Sequence, residues 1–258
     1  TFCAGHERIK VKKLRGIVSM GLPIPAPEGA KVGDDVAEQL GVTHYEPPVS
    51  LTMGGERENP PDGYRPVFDV DSLRRYAHVF VEGEPVWVSE KLHGANARFV
   101  CLDGDLYCCS RTEWKQEDEK NLWWRVLRQY PELETFCREH PEITVYGEVY
   151  GSVQSLKYGM TKGEVQFAAF DLLRGTEWLG PKEARELSSL YIPWVPLVEH
   201  DFPFNLEAVL ALAEGESLIA GASHMREGVV IRPMQERTHP EVGRVCLKVA
   251  SNSFLEKH

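Results

Sequence analysis

The pattern of apolar and polar positions is clearest downstream of residue 85. Val86-Trp87-Val88 opens a strand over Val86–Glu90, and the polar stretch Lys91–Gly94 turns the chain. Asn96–Leu102 and Leu106–Ser110 are two β-prone runs joined through Asp103-Gly104, a pair that favours a tight hairpin. Glu117–His140 has helical spacing, with Leu122, Val126, Leu127 and Leu133 on the apolar side and Pro131 breaking it. Ile143–Tyr150 and Val165–Leu173 read as strands, Lys182–Leu190 and Asn205–Ala213 as helices, and Glu227–Arg232 and Val245–Val249 as the last strands. Upstream, the basic run from Lys12 to Val18 is strand-like and leads into a Pro-rich loop. Gly33–Leu40 predicts a short helix stopped by Gly41, and Asp71–Tyr76 another, capped by Asp71 or Ser72. Pro47–Pro66, rich in Pro, Gly and Glu, predicts a long surface loop. Strands outnumber helices and no repeat occurs. The expectation is an α+β fold of mainly antiparallel sheets flanked by helices.

Composition narrows this picture. At 258 residues and 42% hydrophobic, the chain suits one large domain, or one domain with an extension. No apolar run is long enough to span a bilayer, and no secretory pattern is present. A net charge of −10 argues against a broadly basic nucleic-acid surface, but is compatible with a local cationic face helped by divalent ions. The six cysteines form no C-x-x-C pair, so they read as reduced, buried thiols of a cytoplasmic protein rather than a zinc site. Trp123-Trp124 reads as core rather than as an interaction helix.

The candidate chemistry centres on Lys91. A lysine at a strand end points into whatever cleft the sheet lines, and Gly94 lets the backbone approach a phosphate. Such a lysine suits nucleophilic phosphoryl chemistry. A free amine has a pKa of about 10.4, so the site must disfavour the ammonium through a nearby cation and desolvation. Glu227, opening a strand, suits a hydrated divalent cation. Glu148, between apolar residues mid-strand, is a carboxylate that needs a partner. Each has an ordinary alternative: a solvated lysine, a glutamate paired to Arg226 or Arg232, and a structural salt bridge.

These residues lie in an ordered series. Lys91-Leu92-His93-Gly94 resembles motif I of the covalent nucleotidyltransferases, the superfamily of RNA ligases, DNA ligases and capping enzymes. Ser110-Arg111 resembles motif Ia, Val145–Gly151 motif III, Phe167–Asp171 motif IIIa, Glu227–Arg232 motif IV and Leu247-Lys248-Val249 motif V. His93 followed by Gly94 and Asn96 is most similar to the RNA ligases. The resemblance runs from about Asp69 to the C-terminus. It implies an ATP-grasp-like nucleotidyltransferase (adenylation) domain over 67–258, preceded by a linker or extension over 1–66 packed on it. The stretches 13–22 and 41–48 resemble the branch in which an N-terminal OB domain comes first. Most of such a domain would be absent here, consistent with Thr1 in place of Met, and self-adenylation is then expected to outpace sealing.

The resemblance further implies ATP, with AMP carried on Lys91, and manganese or magnesium. It implies an RNA-repair ligase acting, as a monomer, on RNA with 5′-phosphate and 3′-hydroxyl ends. Lys248 would grip the α-phosphate. Glu227 and Glu148 would hold the metal, with Glu148 also accepting from the ribose. Phe170 would stack on adenine, with Phe167 competing for that role. Arg111 would contact the ribose or the RNA 5′-phosphate. His93 and Asn96 would contact the phosphate or a metal-bound water, and the Glu90 backbone would read the adenine edge. Arg15, Lys157, Lys162 and Arg174 are candidates for holding the strand, each equally readable as ordinary surface. Motif V departs from the pattern: Cys246 and Ala250 stand where a second lysine is expected, so Arg244 or Lys257 would take its duty. Two rivals remain. A DNA ligase or capping enzyme needs a further OB domain, and the chain ends ten residues after Lys248. A non-catalytic RNA- or nucleotide-binding module needs only the fold.

Overall fold

The computed structural model describes the backbone at 12–14 and 17–19, and residues 24–37, 39–42 and 57–257. Arg15, Cys3 and the stretch 43–56, which includes the first part of the expected Pro47–Pro66 loop, lie outside the described residues. The chain forms two compact units, residues 1–50 and 51–258. In the first, β1 (Lys12–Leu14) and β2 (Ile17–Ser19) pair antiparallel. Among the described residues of the expected Gly33–Leu40 helix none is helical: 34–36 are irregular and 33, 37, 39 and 40 lie in turns. Asp34 accepts the Lys31 N–H at 2.8 Å and Asp35 accepts the Ala37 N–H at 2.9 Å, and the Leu40 N–H donates to the Val36 carbonyl at 3.1 Å, so the stretch is held by isolated turns.

The second unit is built on two sheets. Its elements are β3 (Asp71–Ser72), α1 (Leu73–Tyr76), β4 (Pro85–Lys91), β5 (Ala95–Leu102), β6 (Asp105–Cys109), β7 (Trp114–Lys115), α2 (Leu122–Gln129), α3 (Pro131–Glu139), β8 (Ile143–Gly151), β9 (Val165–Arg174), β10 (Glu177–Trp178), α4 (Pro181–Ser188), β11 (Leu197–Pro203), α5 (Leu206–Ala213), β12 (Gly228–Pro233), β13 (Thr238–His239), β14 (Gly243–Arg244), β15 (Leu247–Ala250) and α6 (Asn252–Leu255). One sheet runs β10-β9-β8-β5-β6-β7 and the other β11-β4-β12-β15-β3. All pairings are antiparallel except β15 with β3. That pairing corrects the expected cap of α1: Ser72 is the N-cap, but no side-chain cap bond forms, and Asp71-Ser72 is strand paired to Leu247-Lys248. Asp103 and Gly104, at φ 52° and 90°, make the expected hairpin turn. Pro131 opens α3, where a missing N–H costs nothing, so it splits α2 from α3 as expected. The strand β11 had no sequence signal. Its middle, Glu199-His200-Asp201, is polar and exposed, and two register irregularities interrupt it.

Side-chain alternation then sorts the faces. Ala97, Phe99, Val145, Val149, Phe167 and Leu172 point to one side of the six-stranded sheet, under Trp123, Trp124, Phe136 and Ala184 of the helices. Val86, Val88, Val229, Ile231, Leu247 and Val249 point away from the five-stranded sheet toward Leu73 and Val209. The remaining faces look at each other, joined by a smaller cluster of Leu92, Tyr150, Tyr158, Ala168 and Val195. Five described cysteines are unpaired and buried, in line with the sequence reading. No helix among the described residues is long and apolar enough to cross a membrane.

Candidate active site

Lys91 closes β4 beside Gly228 of β12, and Ala250 of β15 continues the same row. Its Nζ donates to Glu227 Oε1 at 2.7 Å. The other carboxylate oxygen, Oε2, is buried with no hydrogen-bond donor, although His93 Nδ1 lies 3.4 Å away. The His93 ring also meets Phe254 edge-on, with centroids 5.2 Å apart. From the opposing sheet, Glu148 Oε1 accepts the Gly94 N–H at 3.0 Å. Gly94 allows that approach because a Cβ there would lie 2.1 Å from the Val149 carbonyl oxygen. Asn96 pairs across from Glu148, and its side-chain Oδ1 is a second buried acceptor without a donor.

Burial pushes the Glu148 carboxyl up to about 8, with Lys91 pulling it down, Glu227 pushing it up and the Gly94 hydrogen bond pulling it down. Lys91, Glu148 and Glu227 therefore form one electrostatic unit drawn from both sheets. Among the described residues no group of three or more His, Cys, Asp or Glu could hold a metal. A magnesium-like ion nevertheless fits, because it keeps several waters and needs only one or two carboxylates. Two orphaned acceptors beside those carboxylates are what water molecules on such an ion would donate to.

Lys248 lies on β15 opposite Val230, which in turn faces Ser89, all on the Lys91 side of the sheet. Among the described residues its ammonium makes no ion pair or hydrogen bond. Arg244 does not take the missing lysine's place, which corrects that expectation. Its guanidinium is fixed by Asp171 at 2.5 and 2.9 Å and by Glu236 at 2.7 Å, and lies 4.1 Å over the Trp178 ring. Lys257 is exposed beyond α6.

Phe170 and Phe167 part company. Gly147 pairs with Ala169 and Tyr146 with Asp171, so Phe170 is the extra residue of a β-bulge. It is partly exposed on the cleft side, 4.4 Å from Phe68. Phe167 is fully buried in the opposite core, where a Cβ on Gly147 would strike its ring at 2.3 Å. Of the two, Phe170 is the one on the side of the six-stranded sheet that packs on the Leu92, Tyr150 and Tyr158 cluster. Glu90 is buried on the far face of β4. Its carboxylate accepts from Ser217 Oγ at 2.6 Å and the Leu218 N–H at 2.7 Å. Its backbone N–H is bonded to Pro196 at 2.8 Å, so that donor is not open to an adenine edge. Arg111 is exposed and paired with Asp69 at 2.8 Å. Of the proposed strand contacts, Arg174 is paired with Glu183 and Lys157 donates to the Gln154 carbonyl. Tyr158, whose hydroxyl accepts the His93 N–H at 2.7 Å, escaped sequence reasoning because it lies in a loop without periodicity.

The sequence profile of the RNA ligase family matches residues 84–250. Among solved structures, the chain is similar to a Naegleria gruberi RNA ligase with PPi, at 28% identity and TM-score 0.69, covering 97% of this chain and 76% of that one. A lysine-to-methionine variant of the Naegleria enzyme with AMP and Mn is 27% identical, with the same TM-score of 0.69 and the same 97% and 76% coverage. A lysine-to-alanine variant with ATP and Mn gives 26%, TM-score 0.67, and 97% and 77% coverage. A search of curated protein sequences found no match.

Proposed function

The chain belongs to the RNA ligase family, and we propose that the pocket around Lys91 is where its chemistry takes place. The protein is an ATP-dependent RNA ligase that uses a divalent metal ion, as the ATP, AMP and Mn complexes of its structural relatives support. The observation that carries the site assignment is the 2.7 Å contact between Lys91 and Glu227, with Glu148 electrostatically coupled from the facing sheet.

In the proposed reaction, Lys91 Nζ attacks the α-phosphorus of ATP. An N–P bond forms, the bond to the bridging oxygen breaks, and pyrophosphate leaves with that electron pair. The amine proton has an acceptor within reach at Glu227 Oε1. Glu227 and Glu148 would hold a divalent ion, which would supply charge neutralisation on the phosphates. Lys248, free of protein partners, faces the same cleft and suits the α-phosphate. Phe170 offers a ring to the adenine. AMP then passes to an RNA 5′-phosphate, and a 3′-hydroxyl displaces it. Incubation with α-labelled ATP and a divalent metal tests the assignment. The wild type takes covalent label, and Lys91→Ala loses it by roughly a thousand-fold or more. Full labelling of that variant removes Lys91 from the mechanism.

A further inference from the structure

The turn that carries Lys91 is gripped from a loop 65 residues away in sequence. Three successive residues of the turn have three different anchors. Leu92 is buried in the cluster of Tyr150, Tyr158, Ala168 and Val195. The His93 N–H donates to Tyr158 Oη at 2.7 Å, and the Gly94 N–H donates to Glu148 at 3.0 Å. Tyr158 is itself tightly held. It is 2% exposed, its ring meets Tyr150 at 5.1 Å and His224 at 4.7 Å, both edge-on, and its N–H donates to His224 Nε2 at 3.3 Å. Its backbone sits at φ 52°, a left-handed conformation that non-glycine residues rarely adopt without a surrounding structure to enforce it. The next residue, Gly159, is pressed so close to Gly221 that a Cβ would lie 2.3 Å from its carbonyl oxygen. A strained residue wedged between two loops, with its hydroxyl on the nucleophile's turn, is more than filler.

We propose that Tyr158 is a positioning residue for adenylation: its hydroxyl fixes the 92–94 turn and thereby aims Lys91 Nζ at the α-phosphorus. The inference rests on Lys91 being the nucleophile. It assigns Tyr158 no contact with ATP, so its removal affects the aim of the amine and not the binding of nucleotide. Misplacement of a reacting atom by small distances lowers the rate of the chemical step with little change in ground-state affinity.

Tyr158→Phe keeps the ring and its edge-on contacts and deletes the acceptor, leaving the part-buried His93 N–H without its partner. The rate constant for self-adenylation at saturating ATP is expected to fall about ten-fold. Half-saturation by ATP is expected to stay within about two-fold, since the deleted hydroxyl itself is given no contact with the nucleotide. Leu92→Ala loosens the same turn from its other anchor and is expected to give the same split, which provides a second route should the tyrosine variant fold poorly. An unchanged rate in both variants overturns the proposal. So does a loss of rate matched by an equal weakening of ATP binding, which is the signature of a purely structural tyrosine. If the wild-type chain takes no label, the nucleophile assignment fails and the inference fails with it; labelled wild type beside unaffected variants sinks the inference alone.

Discussion

Two charged clusters bridge the same pair of sheets, and they are finished to different degrees. Around Asp171, 1% exposed, both carboxylate oxygens are taken: Oδ1 by Arg232 at 2.6 Å and Arg244 at 2.9 Å, Oδ2 by Arg244 at 2.5 Å. Glu236 balances the second guanidinium. Around Lys91 the accounts do not close. Glu227 has one oxygen bonded and one buried without a donor, Asn96 has an orphaned acceptor, and Glu148 is pushed to hold its proton. Buried acceptors without donors are costly, so a cluster that only joined two sheets would be expected to resemble the first. The difference separates a structural clasp from a site shaped for cationic or hydrated guests.

The contrast breaks most sharply on substitution of one carboxylate in each cluster. Glu227→Gln is expected to lower metal-dependent adenylation by roughly a hundred- to a thousand-fold, the size typical of removing one group that stabilises developing charge. Its thermal midpoint is expected to move little, because glutamine keeps an acceptor for Lys91 and removes a buried carboxylate charge whose second oxygen has no donor. Metal titrations of adenylation that coincide with the wild type would remove Glu227 from the site. Asp171→Ala is expected to do the reverse. Leaving two buried guanidiniums short of a partner costs about 3–5 kcal/mol of stability in denaturant titrations. Activity per folded molecule then falls far less than for Glu227→Gln. A stable Asp171→Ala protein would mean the two clusters are not distinct in kind.

Much of this organisation was legible in the sequence, and the failures have physical causes. Short β-prone, largely apolar runs placed the strands β5, β8, β9 and β12 within a residue or two, because both faces of each are committed to buried layers. Lys91, Glu148 and Glu227 were singled out as chemistry on mid- or end-strand positions where a bare charge needs a reason, and the structure brings them together. Which phenylalanine faces the cleft was not legible, since the bulge that turns Phe170 outward from the alternation is set by pairing with β8. The commitment of Arg244 was equally hidden: Asp171 lies 73 residues away, and only the sheet packing joins them. Tyr158 left no trace at all, because a single hydroxyl in an irregular loop acts through one backbone contact.

The smallest expected effect sharpens the comparison through pH. Burial holds the Glu148 carboxyl near 8, whereas in the unfolded chain it ionises in the ordinary range near 4.5. Between those values the unfolded state has released a proton that the folded state retains. The contribution of Glu148 to stability is therefore present below about pH 4.5 and is lost as pH rises through about 8. Glu148→Gln cannot ionise and removes that slope. Denaturant midpoints measured at pH 5 and pH 8 without divalent metal are expected to fall less in the variant than in the wild type, with the two chains diverging most at the alkaline end. If Glu148→Gln and wild type keep identical slopes, the carboxyl is ionised like any other, and the pocket around Lys91 is no more unfinished than the clasp beside it.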